Sequence, residues 1–153
     1  MSATDHLPSE SRFGEAISIL NRAAHIHLTR ELKPYRLGPG QQAYLLTLSS
    51  GEAVSQDEIA RRHKVDKANA ARAIGVLERL GYVNRARATD DGRRWDVSLT
   101  ARGEEVKADV EKILAGWIHS LASSVSSEEW ETTARSLRVI ADAAMEKARG
   151  GAE

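Results

Sequence analysis

Ten basic side chains lie between positions 61 and 94: Arg61, Arg62, Lys64, Lys67, Arg72, Arg79, Arg85, Arg87, Arg93 and Arg94. The same stretch carries four acids, Asp66, Glu78, Asp90 and Asp91, which leaves a surplus of six positive charges. Guanidinium and ammonium groups gathered in this way bind phosphate, so the chemistry on offer is nucleic-acid recognition. The chain of 153 residues nevertheless has 22 basic and 22 acidic residues and no formal net charge. Its flanks are therefore acidic, but at physiological salt a charge is felt over only about 8 Å, and distant acids hardly cancel the basic stretch. On charge alone a plain, solvated arginine-rich face stays open.

Other chemistries find less support. His25 and His27 invite a metal, but residues two apart on a helix project roughly 200° from one another and do not chelate one ion. There is no cysteine, which removes disulfides, thiolate ligands and thiol redox sensing. No glycine-rich phosphate loop, no His-x-x-x-His pair and no serine on a strand-to-helix elbow is present. An enzyme would have to rest on scattered His and Glu residues, so neither catalysis, a metal nor a cofactor is expected. No apolar run approaches the roughly 18 residues of a membrane span, and the polar, acidic residues 1–10 do not read as a secretory signal. The expectation is a cytoplasmic protein with no membrane partner. Apolar residues at 41% are enough for a core, in one domain or one domain with helical extensions.

The elements that must position the basic groups follow from periodicity. Phe13, Ile17, Leu20, Ala24, Leu28 and Leu32 recur at intervals of three and four, with a second stripe through Ala16, Ile19, Ala23 and Ile26. A helix apolar on two sides needs more than one partner, and Pro34 ends it. Gly38-Pro39-Gly40 opens a short helix with Pro39 in its first turn and Tyr44, Leu45 and Leu48 inward. Ser55-Gln56-Asp57-Glu58 is a capping box for a third helix, with Ile59 and Ala60 inward and Arg61 and Arg62 outward. Asp66 caps a fourth, to about Leu80, buried along Ala70, Ala73, Ile74 and Leu77, with Gly81 as its left-handed stop. Residues 82–87 and 95–99 read as two strands of a hairpin around Thr89-Asp90-Asp91-Gly92. Trp95 is expected to share a face with Val97 and Leu99 and to anchor the hairpin on the helices. Arg85 and Arg87 are either phosphate contacts or merely exposed. Thr100 caps a long helix through Val106, Val110, Ile113, Leu114, Trp117, Ile118 and Leu121. A second capping box, Ser126 to Glu129, starts a last helix along Trp130, Ala134, Leu137, Ile140, Ala141 and Ala144.

Two short helices and a tight turn, the second helix basic on its outer face and followed by a hairpin, make a winged helix-turn-helix. The fold is mainly α with a small β-hairpin wing. A helix about 10–12 Å across enters a major groove about 12 Å wide. Small outward residues, Ala68, Ala71 and Gly75, allow close approach. Lys67, Asn69 and Arg72 supply hydrogen bonds there, and Arg61 and Arg62 reach phosphates. Arg93 and Arg94 near the hairpin tip suit a narrow minor groove.

Residues 65–69 (Val-Asp-Lys-Ala-Asn) through Ile74, then Leu77-Glu78-Arg79-Leu80-Gly81-Tyr82-Val83, resemble the recognition helix and first wing strand of MarR-type transcriptional regulators. Asp91-Gly92-Arg93, continuing to Val97-Ser98-Leu99-Thr100 and Gly103, is similar to that family's wing signature. The resemblance covers residues 13–145. It implies a homodimer, with helices of residues 11–36 and 101–149 interleaved, residues 37–100 forming the DNA-binding domain and residues 1–10 a disordered tail. It implies that Arg93 enters the minor groove of a pseudo-palindromic double-stranded operator while Asp91 orients it, and that the protein acts as a repressor. It also implies a small aromatic or anionic effector between the dimerisation helices and the winged domain, with Phe13, Ile17, Asn21, His25 and Tyr44 as candidate lining residues. Three positions depart from the pattern: Lys64 stands where glycine is usual, Gly75 replaces a long polar residue, and Leu80 replaces a charged one. A winged-helix module that binds an acidic protein rather than DNA is the alternative.

Overall fold

Leu32, fully buried, marks where the first helix gives way. In the computed structural model, which describes residues 10–90 and 92–150, α1 spans Glu10–Glu31. Pro34 then sits inside a single 3-10 turn, Lys33–Tyr35, closed by Arg36 in the left-handed region at φ 57°. Proline can begin such a turn but cannot continue the helix before it. The short α2, Gln41–Leu46, starts one step later than its glycines and proline predict: Gly40, at φ 95°, is the N-cap, and Pro39 lies outside the first turn. Two glutamines close that start, the Gln41 carboxamide oxygen accepting from Gly38 N and that of buried Gln42 from Gly40 N.

α3 is Gln56–Arg62 and α4 is Lys67–Arg79. Both end in the same hydrogen-bonded reversal, in which the N–H groups of the two residues past the cap turn back onto the last turn of the helix. After α3 these bonds are Lys64 N to Arg61 O and Val65 N to Ala60 O; after α4 they are Gly81 N to Glu78 O and Tyr82 N to Leu77 O. The residue that must take positive φ is Lys64 in the first (53°) and Gly81 in the second (75°). The departure at Lys64 therefore carries the backbone strain that a side chain brings to this conformation.

The wing is larger than a hairpin. β2, Val83–Arg87, and β3, Trp95–Leu99, pair antiparallel as their alternation predicts. A further strand, β1, Ala53–Ser55, pairs with the other edge of β3, so the order is β1-β3-β2. Three residues are too few to show a period, so nothing in the sequence pattern marks residues 53–55 as a strand. The core is drawn from helices and strands alike: Leu32, Leu45, Leu48, Ile59, Ile74, Leu77, Tyr82, Val83, Val97 and Val110 are all buried.

α5, Ala101–Ala122, begins where Thr100 Oγ1 accepts from Gly103 N and donates to the Gly81 carbonyl. Gly103 has no freedom of identity, because a Cβ there would overlap the Tyr82 carbonyl group. α6, Ser127–Gly150, starts with a complete capping box: Ser126 Oγ accepts from Glu129 N, and the Glu129 carboxylate accepts from Ser126 N. The chain divides into two compact units between Glu111 and Lys112. Among the described residues no helix is long and apolar enough to cross a membrane.

Candidate nucleic-acid interface

The outer face of α4 is built by its cap. Asp66 accepts from Asn69 N at 2.8 Å, which fixes the helix phase so that Ala70, Ile74 and Leu77 are buried. Lys67, Ala68, Asn69 and Arg72 then face solvent, with Ala71 and Gly75 half-buried beside them. A Cβ on Gly75 would meet only the Arg79 guanidinium at 3.6 Å. Nothing in the packing requires glycine there, so the gap is a feature of the outer face rather than of the core.

The acids that the 61–94 window left out sit against its cations. Glu58, expected to reach back to its own cap, instead takes two arginines. Ser55 Oγ accepts from Glu58 N, completing half the box, while the Glu58 carboxylate lies 2.7 Å from Arg62 Nε and 2.6 Å from Arg61 Nη2. Hydrogen bonds from Arg62 and then Arg61 hold that carboxyl below its ordinary range. Asp57 pairs with Lys67 at 2.7 Å. On the wing, Arg94 bridges Asp96 and Asp90, each at 3.0 Å. Asp57, Glu58 and Asp96 lie just outside the basic stretch in sequence, and folding brings them onto it.

Arg85 and Arg87 have a job the alternation does not disclose. Their guanidinium carbons lie 4.9 and 4.1 Å from the centre of the Trp95 ring, both within cation–π range. Pairing places Arg87 directly opposite Trp95 and Arg85 opposite Val97, so all share one face. Arg87 Nη1 also donates to the Arg93 carbonyl at 3.1 Å, and Arg85 pairs with Glu78 of α4 at 3.4 Å. Trp95 is thus half-buried beneath two arginines, one of which holds the backbone of the wing residue Arg93. The side chain of Arg93 is exposed; Asp91 lies outside the described residues.

A cavity of about 460 Å³ opens beside α4, lined by Pro39, Gly40, Tyr44, His63, Asn69 and Arg72 among others. Tyr44 stacks on His63 with ring centres 4.3 Å apart. Thr47 Oγ1 donates to Ala43 O, so its 2.6 Å contact with His63 Nε2 makes that nitrogen the donor. Burial pushes the His63 pKa down. Of the five effector candidates only Tyr44 lines this cavity. Phe13, Ile17, Asn21 and His25 follow one another at steps of four along α1 and are exposed.

The MarR family model matches residues 37–94, from the residue before Gly38 to the wing arginines. A MarR transcriptional regulator from Methanosarcina mazei Go1 is 32% identical, with 90% of this chain and 99% of that one covered at a TM-score of 0.77. The chain belongs to the MarR family. The HTH-type transcriptional regulator BilQ of Clostridioides difficile is 28% identical over 123 residues, 80% of this chain and 83% of that protein. The structure of S. aureus MepR with DNA, at 19% identity, shares the fold with a TM-score of 0.79 over 86% of this chain and 96% of that one. MarR-family proteins are transcriptional regulators, and the winged helix described above is their architecture. Within that family pattern Leu80, in place of a charged residue, is the half-buried C-cap of α4.

Proposed function

We propose that this MarR-family protein is a homodimeric, sequence-specific binder of double-stranded DNA that represses transcription by occupying a promoter and is released by a small aromatic or anionic molecule. The observation that carries the reading is the outer face of α4, where Lys67, Asn69 and Arg72 stand exposed while Arg93 stands exposed on the wing of the same sheet. In this reading Lys67, Asn69 and Arg72 face the major groove with Ala71 allowing close approach. Arg61 and Arg62 meet phosphates, and Arg93 and Arg94 serve the minor groove with Asp91 orienting the former. Residues 37–100 form the DNA-binding domain, and residues 11–36 and 101–149 the dimerisation helices.

Self-association has its own support. Ile26 on α1 is 63% exposed and Val139 on α6 is 66% exposed, with Phe13, Ile19, Leu20, Leu137 and Ile140 also exposed. Apolar side chains along two helices in such numbers call for a covering surface. A two-fold dimer would set its α4 helices about 34–36 Å apart, and the operator would be a pseudo-palindrome. Phe13, Ile17, Asn21, His25 and Tyr44 are the proposed effector contacts, through which a ligand would favour the form of the dimer that does not fit DNA.

Capture of genomic fragments by the purified chain, followed by sequencing and gel shift at rising salt, tests the reading. The expected result is enrichment of two-fold-related sites, bound by a species of twice the chain mass in light scattering. A monomer, or a protein that ignores every duplex at low ionic strength, overturns it.

A further inference from the structure

On the helix pair, three of the cations assigned to DNA are already held by carboxylates, as Arg94 on the wing is by Asp96 and Asp90. Lys67 is held by Asp57, and Arg61 and Arg62 are both held by Glu58. The two acids are neighbours in the first turn of α3, so one short segment governs all three. Side chains of the Asp57–Lys67 pair remain 59% and 74% exposed, which leaves the ammonium open to exchange one anionic partner for another. Exposed pairs of this kind add little to folding. Their effect is to be sought in what they withhold.

We propose that Asp57 and Glu58 act as an internal substitute for the DNA backbone: they hold Lys67, Arg61 and Arg62 in ion pairs that phosphate must displace, and so keep binding to unmatched duplexes weak. The inference rests on the DNA-binding reading above. Non-specific binding is almost wholly the release of counterions by phosphates that protein cations neutralise. A lysine with a carboxylate partner neutralises nothing new until that partner is expelled. The expelled carboxylate then takes a cation from solution, which offsets the one DNA gives up. Contacts made through held cations therefore contribute little to either the strength or the salt dependence of random binding. A matched site, where Asn69 and Arg72 add base contacts, can still drive the exchange.

The test needs no operator. Full-length wild type, Asp57→Asn, Glu58→Gln, Lys67→Ala and Asp57→Asn/Lys67→Ala are titrated with a random-sequence duplex across a salt series, each first checked for folding by thermal melting. Asp57→Asn is expected to bind about three- to tenfold more tightly at low salt, with a log–log salt slope steeper by about 0.9. Glu58→Gln removes one carboxylate shared by two arginines and is likewise expected to steepen it by about 0.9. In the Lys67→Ala background the Asp57 substitution should gain nothing. An equal gain in that background, or the same gain from Glu131→Gln on α6, overturns the proposal, since charge at any position would then suffice. Weaker binding by Asp57→Asn also overturns it, since the acid would be orienting Lys67 for DNA. If the wild type binds no duplex at low salt, the DNA-binding reading falls and takes this one with it; if it binds and the variants match it, only this one falls.

Discussion

A side chain on Gly103 would have to begin inside the Tyr82 carbonyl group, its Cβ within 2.8 Å of the carbonyl carbon and nearer still to the oxygen. That carbonyl accepts from Thr100 N, so the first turn of α5, the wing root and the end of α4 meet at one point. Gly103→Ala must push backbone, not a flexible side chain. The expected loss is about 3 kcal/mol, a fall in Tm of about 6–12 °C for a chain of this size. Thermal unfolding by circular dichroism checks it, and an unchanged Tm would show that α5 shifts at no cost.

Tyr82 is also bound at its other end. Its buried hydroxyl donates to the Tyr35 carbonyl at 2.7 Å, whereas the Tyr35 hydroxyl meets Asp109 at 3.3 Å in a more open setting. Tyr82→Phe leaves a carbonyl without its donor and should lower stability by about 1 kcal/mol, and Tyr35→Phe by about 0.5 kcal/mol or less. Denaturant titration of the two variants side by side gives the order; the reverse order would place the main tie at Asp109.

His63 predicts the acid side of the stability profile. Its pKa is lowered by burial from the ordinary 6.5, so as pH falls the unfolded chain takes up the proton first. Stability should therefore decline as pH drops through about 6.5 and level off below the lowered folded value. Glu58, also lowered, from 4.5, acts in a separate window: its contribution is present above that value and lost as pH falls beneath it. Melting temperatures measured from pH 8 to about pH 3 should show the first decline flattened in His63→Gln and the second retained.

Arg93 and Arg72 divide the proposed DNA contacts between wing and helix. Arg93→Ala should weaken operator binding by about 1–3 kcal/mol, or about 5- to 150-fold. Arg87→Ala removes the donor to the Arg93 carbonyl and the closest cation over Trp95. It should weaken binding while leaving the salt slope as in wild type, because a brace neutralises no phosphate. Fluorescence anisotropy on a captured genomic duplex at several salt concentrations separates the two. A slope reduced by about 1 in Arg87→Ala would make it a phosphate contact instead.

What was readable in advance was what neighbours in sequence decide. Asp66 and Ser126 cap where their types and spacing require, Gly81 takes the positive φ, and β2 and β3 occupy the alternating runs. What was hidden depends on residues meeting across elements. Ala53–Ser55 becomes a strand only because β3 offers an edge. Glu58 satisfies one half of its capping box and gives the other half to arginines one turn on, a competition that the motif alone cannot decide. Lys67 and Asp57 are ten positions apart, and a count that begins at Arg61 registers the cation without its partner. The cavity beside α4 lies between the Pro39-Gly40 turn, Tyr44 of α2, the His63 turn and the α4 face of Asn69 and Arg72, which meet only on folding.

The edge pairing of Ala53–Ser55 with β3 has a mechanical result. Ser55 is at once the last residue of that strand and the cap of α3, so the sheet and the helix pair are joined without an intervening linker. The ladder joins the strand that carries the wing to the start of α3, so in the proposed DNA-binding reading wing and helix pair would reorient as one lever.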